Sequence, residues 1–232
     1  MSQNEDQLKK AAAESAVALV RDGMIVGLGS GTTAAFAVSA IGRRVSEGLR
    51  MVGIPTSEGT ATQARALGIL LSSLDEQREV DITIDGADEV EEGSLNLIKG
   101  HGGALLREKI VASASKRLVI IVDDRKLVSH LATHEAIPVE VVPFGWQATA
   151  RYLAKLGAKP SLRQNPDGQP FHSDGGNYIV DCMFEKGVAA PPLARELDHV
   201  VGVVEHGLFI GLTSEVHVAG ANGVRVLKIG PG

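Results

Sequence analysis

The chain has 232 residues, enough for one large domain or two small ones with a real core, and its 44% hydrophobic and 3% aromatic content indicates a globular interior packed from aliphatic side chains. A formal net charge of −5 without a basic block argues against nucleic acid as the main partner, and no apolar run approaches a membrane span. The single cysteine, Cys182, excludes an intrachain disulfide, and the polar start "MSQNEDQLKK" has no signal-peptide stretch, so a cytoplasmic setting is expected.

In chain order, a helix is expected from about Glu5 to Arg21, stopped by Asp22-Gly23. "MIVGLG" reads as a buried strand, followed by the loop "SGTTA" and a small-residue helix through Arg43. "RMVGIPTS" is a second strand, with a helix from about Glu58 to Leu67, and "ILLSSL" and "VDITIDGADEV" are further strands. "LNLIKGHGG" leads into a helix from about Gly103 to Ser115, and "RLVIIVDD" follows as a continuous apolar strand. Val/Ile/Leu runs without period-2 alternation suit a parallel sheet covered on both faces, a doubly wound α/β domain. After Lys126 the order becomes β-α-β-β-α-β, through "IPVEVVP", "WQATARYLAKLG", "KPSLRQ", "NYIVDCMFE", "PPLARELDH" and "VVGVVEHGLF", which is the ferredoxin-like order. "SEVHVAGANGVRVLKIG" is a hairpin returning to the first sheet. The expected organisation is a doubly wound, Rossmann-like domain of residues 1–132 plus 207–232, with a ferredoxin-like α+β domain of residues 133–206 inserted into it.

Four segments carry groups fit for chemistry. "GLGSGTT" (27–33) follows a strand and opens a helix, so its N–H groups can bind an anion, although a tight turn with a Thr cap is the bland alternative. Thr32 stands where a dinucleotide fingerprint wants glycine, and "PTSEG" supplies hydroxyls in place of the ribose-binding acid, so a hydroxyl-lined sugar or phosphate pocket fits better than a dinucleotide site. "IDGADEV" puts Asp85 and Asp88 at a strand's C-terminal end, suited to acid/base work, a divalent cation or simple turn chemistry; the run Glu89, Glu91, Glu92 reads as a solvated turn.

In "KGHGGALLREK" (99–109), the helix neighbours of Glu108 are Ala104, Leu105, Val111 and Ala112, so this carboxylate is expected to be semi-buried. Leu106 and Ile110 read as a second apolar stripe on the same helix. Burial raises a carboxyl pKa, which suits a general base, and a buried Glu paired with a lysine is the equal alternative. Lys99 can neutralise an oxyanion or a phosphate, and "VDDRK" brings Asp124 and Lys126 to the same sheet edge. The histidines show no metal-binding spacing, so no metal is expected. Cys182, within a strand, reads as core.

The motifs "GLGSGTTA", "TSEGTATQARALGI", "DITIDGADEV", "NLIKGHGGALLREKI", "DDRK", "IPVEVVP", "SDGGNYIVD" and "GVVEHGLF", in this order, resemble the A-type ribose-5-phosphate isomerase family over nearly the whole chain. The resemblance implies the same two-part architecture and interconversion of D-ribose 5-phosphate and D-ribulose 5-phosphate without metal or organic cofactor. It implies Glu108 as the base moving a proton between C1 and C2 through a cis-enediolate, and Lys99 as the stabiliser of the enediolate oxygen. Asp85 corresponds to the carboxylate of ring opening, with Asp88 beside it. Ser30, Gly31, Thr32 and Thr33 correspond to the loop lining the substrate pocket, Gly100 and Gly102 to the turn that lets backbone approach the sugar phosphate, and Lys126 to a phosphate-binding lysine. It further implies a homodimer or homotetramer. His101 departs from the family's usual glycine and Leu106 from its frequent threonine; a left-handed backbone at 101 would strain the histidine by about 1–3 kcal/mol. A sugar-phosphate sensor without turnover and a nicotinamide-dependent dehydrogenase are the competing readings.

Overall fold

A computed structural model describes residues 2–229, with the side chains of Ser2 and Gln3 left aside. In chain order the first elements are α1 (Ser2–Val17), β1 (Ile25–Leu28), α2 (Gly31–Ser46), β2 (Val52–Pro55), α3 (Glu58–Ala66), β3 (Leu70–Leu71) and β4 (Ile82–Gly86). Next come β5 (Glu89–Glu91), β6 (Leu97–Ile98), α4 (Leu105–Ser113), β7 (Leu118–Asp123), a 3-10 turn (Asp124–Lys126), β8 (Leu127–Val128) and β9 (Ile137–Val141). The rest are α5 (Trp146–Lys155), β10 (Lys159–Leu162), β11 (Tyr178–Met183), α6 (Ala190–Leu197), β12 (Val203–His206), β13 (Leu208–Phe209), β14 (Glu215–Gly220) and β15 (Gly223–Lys228). They form two compact units, one of Met1–Ala87, Arg107–Leu127 and Leu212–Gly232, the other of Asp88–Leu106 and Val128–Gly211.

The first unit holds a seven-stranded sheet in the order β15-β14-β7-β4-β1-β2-β3. Every pairing is parallel except β14 with β15, the hairpin expected at the end of the chain. This is the doubly wound arrangement expected from the sequence. From β1 the chain builds outward through β2 and β3, then returns to place β4 on the other side of β1, so the order reverses there, the point beside whose C-terminal strand ends open α/β sheets bind ligands. Ile82 and Ile84 of β4 and Val26 and Leu28 of β1 enter the core with Ala12, Ala16 and Val17 of α1 and Val38 and Ile41 of α2. Thr83 and Asp85 therefore point to the opposite face, because successive side chains alternate across a strand. All of β7 is buried, which explains its unbroken apolar run.

Three expected elements end early or divide. The strand "ILLSSL" shrinks to Leu70–Leu71 because it lies at the sheet edge, where Leu70 is 66% exposed. "VDITIDGADEV" breaks after Gly86, and β5 pairs antiparallel with β6 in a small sheet of order β13-β6-β5-β8. "VVGVVEHGLF" divides at Gly207, whose N–H donates to Pro138 O at 2.7 Å while its carbonyl accepts from Lys99 N at 2.9 Å. A side chain at 207 would put its Cβ 2.2 Å from Lys99 O, so the strand changes sheets at a residue without one.

The second unit contains the ferredoxin-like sheet, antiparallel in the order β10-β11-β9-β12, with α5 and α6 packed on a core that includes Val139, Leu153, Val180, Ala194 and Leu197. Cys182 lies in this core, 1% exposed, and burial, with the charge of Asp181 beside it, pushes its thiol up to about 12. It is a packing residue, as its strand position suggested.

A buried polar group in the first unit sets an acid limit on stability. His217 lies with Nδ1 2.8 Å from Ser15 Oγ and Nε2 3.6 Å from Glu215. Burial, outweighing the attraction of Glu215, holds the imidazole below its ordinary value. Glu215 is itself pushed up by burial, but Lys228 at 2.9 Å and Arg117 at 2.7 Å outweigh that and hold it below the usual carboxylate range. A histidine depressed in the fold binds its proton more readily when unfolded, so stability falls as pH drops below about 6.5. Glu215 adds a second loss as pH falls below about 4.5. The urea midpoint is therefore expected to decline first below about pH 6.5 and again below about pH 4.5, where Glu215 acts with the other depressed carboxylates; His217→Gln should flatten the upper decline, as denaturation at a series of pH values would show.

Candidate active site

The C-terminal edge of the parallel sheet, at the reversal between β1 and β4, carries the first group of expected site residues. Ser30 N donates to Asp85 Oδ1 at 3.1 Å, and Gly86 N donates to the same oxygen at 2.7 Å, so two backbone donors fix the carboxylate. Gly29 makes this approach possible: a Cβ there would lie 2.2 Å from Asp85 Oδ1 and 2.6 Å from Asp85 Cα. Ser30 sits at the N-cap of α2 without capping it. Its Oγ instead joins a hydroxyl cluster, 2.7 Å from Thr56 Oγ1, 2.7 Å from Ser57 Oγ and 3.2 Å from Thr60 Oγ1. The first N–H groups of α2, at Gly31, Thr32 and Thr33, are thus left without a side-chain cap from Ser30, at the positive end of the helix. The hydroxyls of "PTSEG" thus belong to this cluster, while Glu58 turns to Arg107 at 2.9 Å.

Glu108 reaches the same edge from α4. Ser115 Oγ, just beyond that helix, lies 2.7 Å from Thr83 Oγ1, and Val111 packs where Gly27 leaves room, 2.9 Å from the site of its missing Cβ. Ser115 and Val111 thus pack on the face to which Thr83 and Asp85 point, and Arg107, beside Glu108, ties the first turn of α4 to Glu58 at the start of α3, so Glu108 lies toward this edge. Glu108 is 4% exposed and Asp85 1%. The apolar neighbours of Glu108 therefore bury it more fully than expected, whereas Ile110, read as part of an apolar stripe, is 49% exposed. Lys126 closes the turn after β7, the next strand along this edge, and is half-buried. Asp124 is exposed; the buried acid of that turn is Asp123, which accepts from Arg125 N and binds its guanidinium at 2.8 Å. Burial pushes the Asp123 carboxyl up, and Arg125 more than reverses this, holding it below the usual range.

The second unit carries Asp88, Lys99 and the glycine loop. Asp88 N donates to Ile98 O at 2.8 Å, and Asp88 Oδ2 accepts from His101 N at 3.0 Å. Lys99 is 3% exposed, with its Nζ 5.5 Å from the centroid of the Phe209 ring. The left-handed positions of the loop are Gly100 (φ 109°) and Gly103 (φ 79°); His101 is not among them, so the histidine fits without backbone strain. Its ring lies between two acids, 3.7 Å from Asp88 and 3.4 Å from Glu135. The boundary between the units falls between Ala87 and Asp88 and again between Leu106 and Arg107, so both motifs contribute to each unit.

A family model described as ribose 5-phosphate isomerase A (phosphoriboisomerase A) matches residues 52–223. The chain belongs to the ribose-5-phosphate isomerase A family. A ribose-5-phosphate isomerase A from Gloeobacter violaceus is 60% identical over 222 residues, covering 96% of each chain. One from Synechococcus sp. is 52% identical over 224 residues, covering 96% of this chain and 97% of the relative. Among solved structures, ribose 5-phosphate isomerase A from Methanocaldococcus jannaschii aligns with a TM-score of 0.91 at 41% identity, over 96% of this chain and 98% of that one. A D-ribose-5-phosphate isomerase in complex with phospho-erythronic acid gives a TM-score of 0.93 at 36% identity, over 97% and 99%.

In this member of the ribose-5-phosphate isomerase A family, two site features escaped the sequence reading. Glu89, read as part of a solvated turn, is 1% exposed: its carboxylate accepts from Ala132 N (2.7 Å), His134 N (2.7 Å) and Glu135 N (3.0 Å), holding the loop that brings Glu135 to His101. Arg163 donates to the carbonyls of the glycine loop, a contact no local pattern announces. One group of the described residues, Asp198, Glu205 and His206, has ligand atoms within 4.8 Å of one another, close enough for a metal ion. Leu208 N donates to His206 Nδ1 at 3.2 Å, so the ring proton sits on Nε2 and is given to Asp198 at 3.1 Å. That tautomer spends on a hydrogen bond the nitrogen a cation would need.

Proposed function

We propose that this chain is an aldose-ketose isomerase that interconverts D-ribose 5-phosphate and D-ribulose 5-phosphate, with Glu108 as the general base. Family membership and the burial of Glu108, on the helix packed over the face to which Asp85 points, support the reading. The reaction removes a proton α to a carbonyl, which needs a carboxylate shielded from water and a donor for the oxyanion that forms. In this reading Asp85, held by Ser30 N and Gly86 N, serves ring opening and moves hydroxyl protons. Glu108 takes the proton from C2 of the open aldose, giving a cis-enediolate, and returns it to C1. Lys99 neutralises the enediolate oxygen, and Asp88 with Gly100 and Gly102 meets the sugar. Ser30, Gly31, Thr32 and Thr33 line the pocket, with uncapped helix N–H groups suited to an anion, and Lys126 binds the phosphate. No cofactor or metal has a part in these steps. A homodimer or homotetramer in the cytoplasm belongs to the same reading.

A coupled assay of ribose 5-phosphate conversion with a chelator present tests it. Chelator-resistant turnover is expected; a protein that binds the sugar phosphate without converting it would replace this reading with the sensor.

A further inference from the structure

The glycine loop is held from behind by a single guanidinium. Arg163, immediately after β10, directs one nitrogen, Nη1, at two successive carbonyls, Gly100 O at 3.1 Å and His101 O at 2.8 Å. The rest of the group is fixed: Nε donates to Asp181 Oδ2 at 2.9 Å and Nη2 donates to Asp181 Oδ1. The guanidinium carbon also lies 5.8 Å from the centroid of the Phe171 ring, and Phe171 N donates to Arg163 O at 2.9 Å. Phe171 in turn fills the space where Gly103 lacks a side chain, with Cε1 2.4 Å from the position of the missing Cβ.

A trans peptide sends its carbonyl and its N–H in opposite directions. With the carbonyls of Gly100 and His101 drawn to Arg163, the N–H groups of His101 and Gly102 must face away from it. The first of these is seen doing so, donating to Asp88 Oδ2 at 3.0 Å. The second belongs to Gly102, which is exposed and has nothing within 4 Å of its missing Cβ.

We propose that Arg163 is a positioning residue for the isomerisation: by holding the carbonyls of Gly100 and His101 it aims the Gly102 N–H as a donor at an oxygen of the sugar phosphate, and keeps the His101 N–H on Asp88. This rests on the isomerase reading above. The planar fork matters as much as the charge, since a lysine cannot serve Asp181 with two nitrogens and the loop with a third.

Arg163→Lys and Arg163→Ala test the proposal through kcat, KM and amide hydrogen exchange. Misplacing a positioned donor by about 1 Å costs up to about 10²-fold, so both variants are expected to lose about 10- to 100-fold in kcat per folded molecule while Arg163→Lys keeps nearly the wild-type urea midpoint. Millimolar guanidinium should restore part of the turnover of Arg163→Ala, and His101 amide exchange should speed up at least tenfold in that variant. Wild-type kcat and KM in Arg163→Lys, or a loss in Arg163→Ala that tracks only the unfolded fraction and ignores guanidinium, would overturn it. If the wild-type protein fails to convert ribose 5-phosphate, the functional reading falls; the exchange rates of the His101 and Gly102 amides then still decide whether Arg163 orders the loop, and unchanged rates would overturn that too.

Discussion

Glu108→Gln is expected to lower the turnover of ribose 5-phosphate by about 10²- to 10⁴-fold, the usual contribution of a positioned general base, with KM little changed. The substitution keeps the shape of the buried side chain, and urea denaturation of the variant separates any loss of fold from loss of rate. What is removed is the ability to accept a proton from carbon, an interaction made only in the transition state, and such losses fall on kcat. Steady-state kinetics together with loss of deuterium exchange between substrate and solvent would check it. Full turnover in Glu108→Gln would assign the base to another carboxylate, with Asp85 the first to try.

Gly29→Ala is expected to damage both fold and activity. The added Cβ would stand 2.2 Å from Asp85 Oδ1, 2.3 Å from its Cγ and 2.6 Å from its Cα. The side-chain atoms could rotate away, but the Cα belongs to β4, which is paired on both sides, so the strand or the loop must shift. Overpacking of this kind costs about 1–3 kcal/mol. The shift also separates Ser30 N from Asp85, and a displaced carboxylate of about 1 Å is enough to cost about 10²-fold in rate. Gly59→Ala gives the contrast: it lies in α3 with only Ser57 Oγ near, at 3.9 Å, and alanine is the better helix former by roughly 0.5–1 kcal/mol. Urea denaturation and kcat/KM for the two variants should therefore move in opposite directions in stability, with activity lost only in Gly29→Ala.

The burial of Glu108 was legible because a helix writes its inward face at i±3 and i±4, and all four such neighbours are small or apolar. The same logic misjudged Ile110, because the helix alone cannot say where its neighbours stop. Glu89 was misread for a similar reason: three acids within four residues look solvated, until a loop more than forty residues later folds its N–H groups onto one of them. His101 raised a question of backbone strain that its φ answers, while the acids flanking its ring come from separate segments.

By itself, the sequence determined the alternation of strands and helices, the ferredoxin-like order, the glycine positions and the motifs of the family, since each is written in local periodicity or in short fixed spacings. Tertiary structure alone decided the strand order that places the reversal between β1 and β4, the sheet change at Gly207, and the reach of Arg163 to carbonyls 62 and 63 residues away. These depend on which segments cross in space, and a pattern that repeats every two or 3.6 residues holds no record of a partner so distant along the chain.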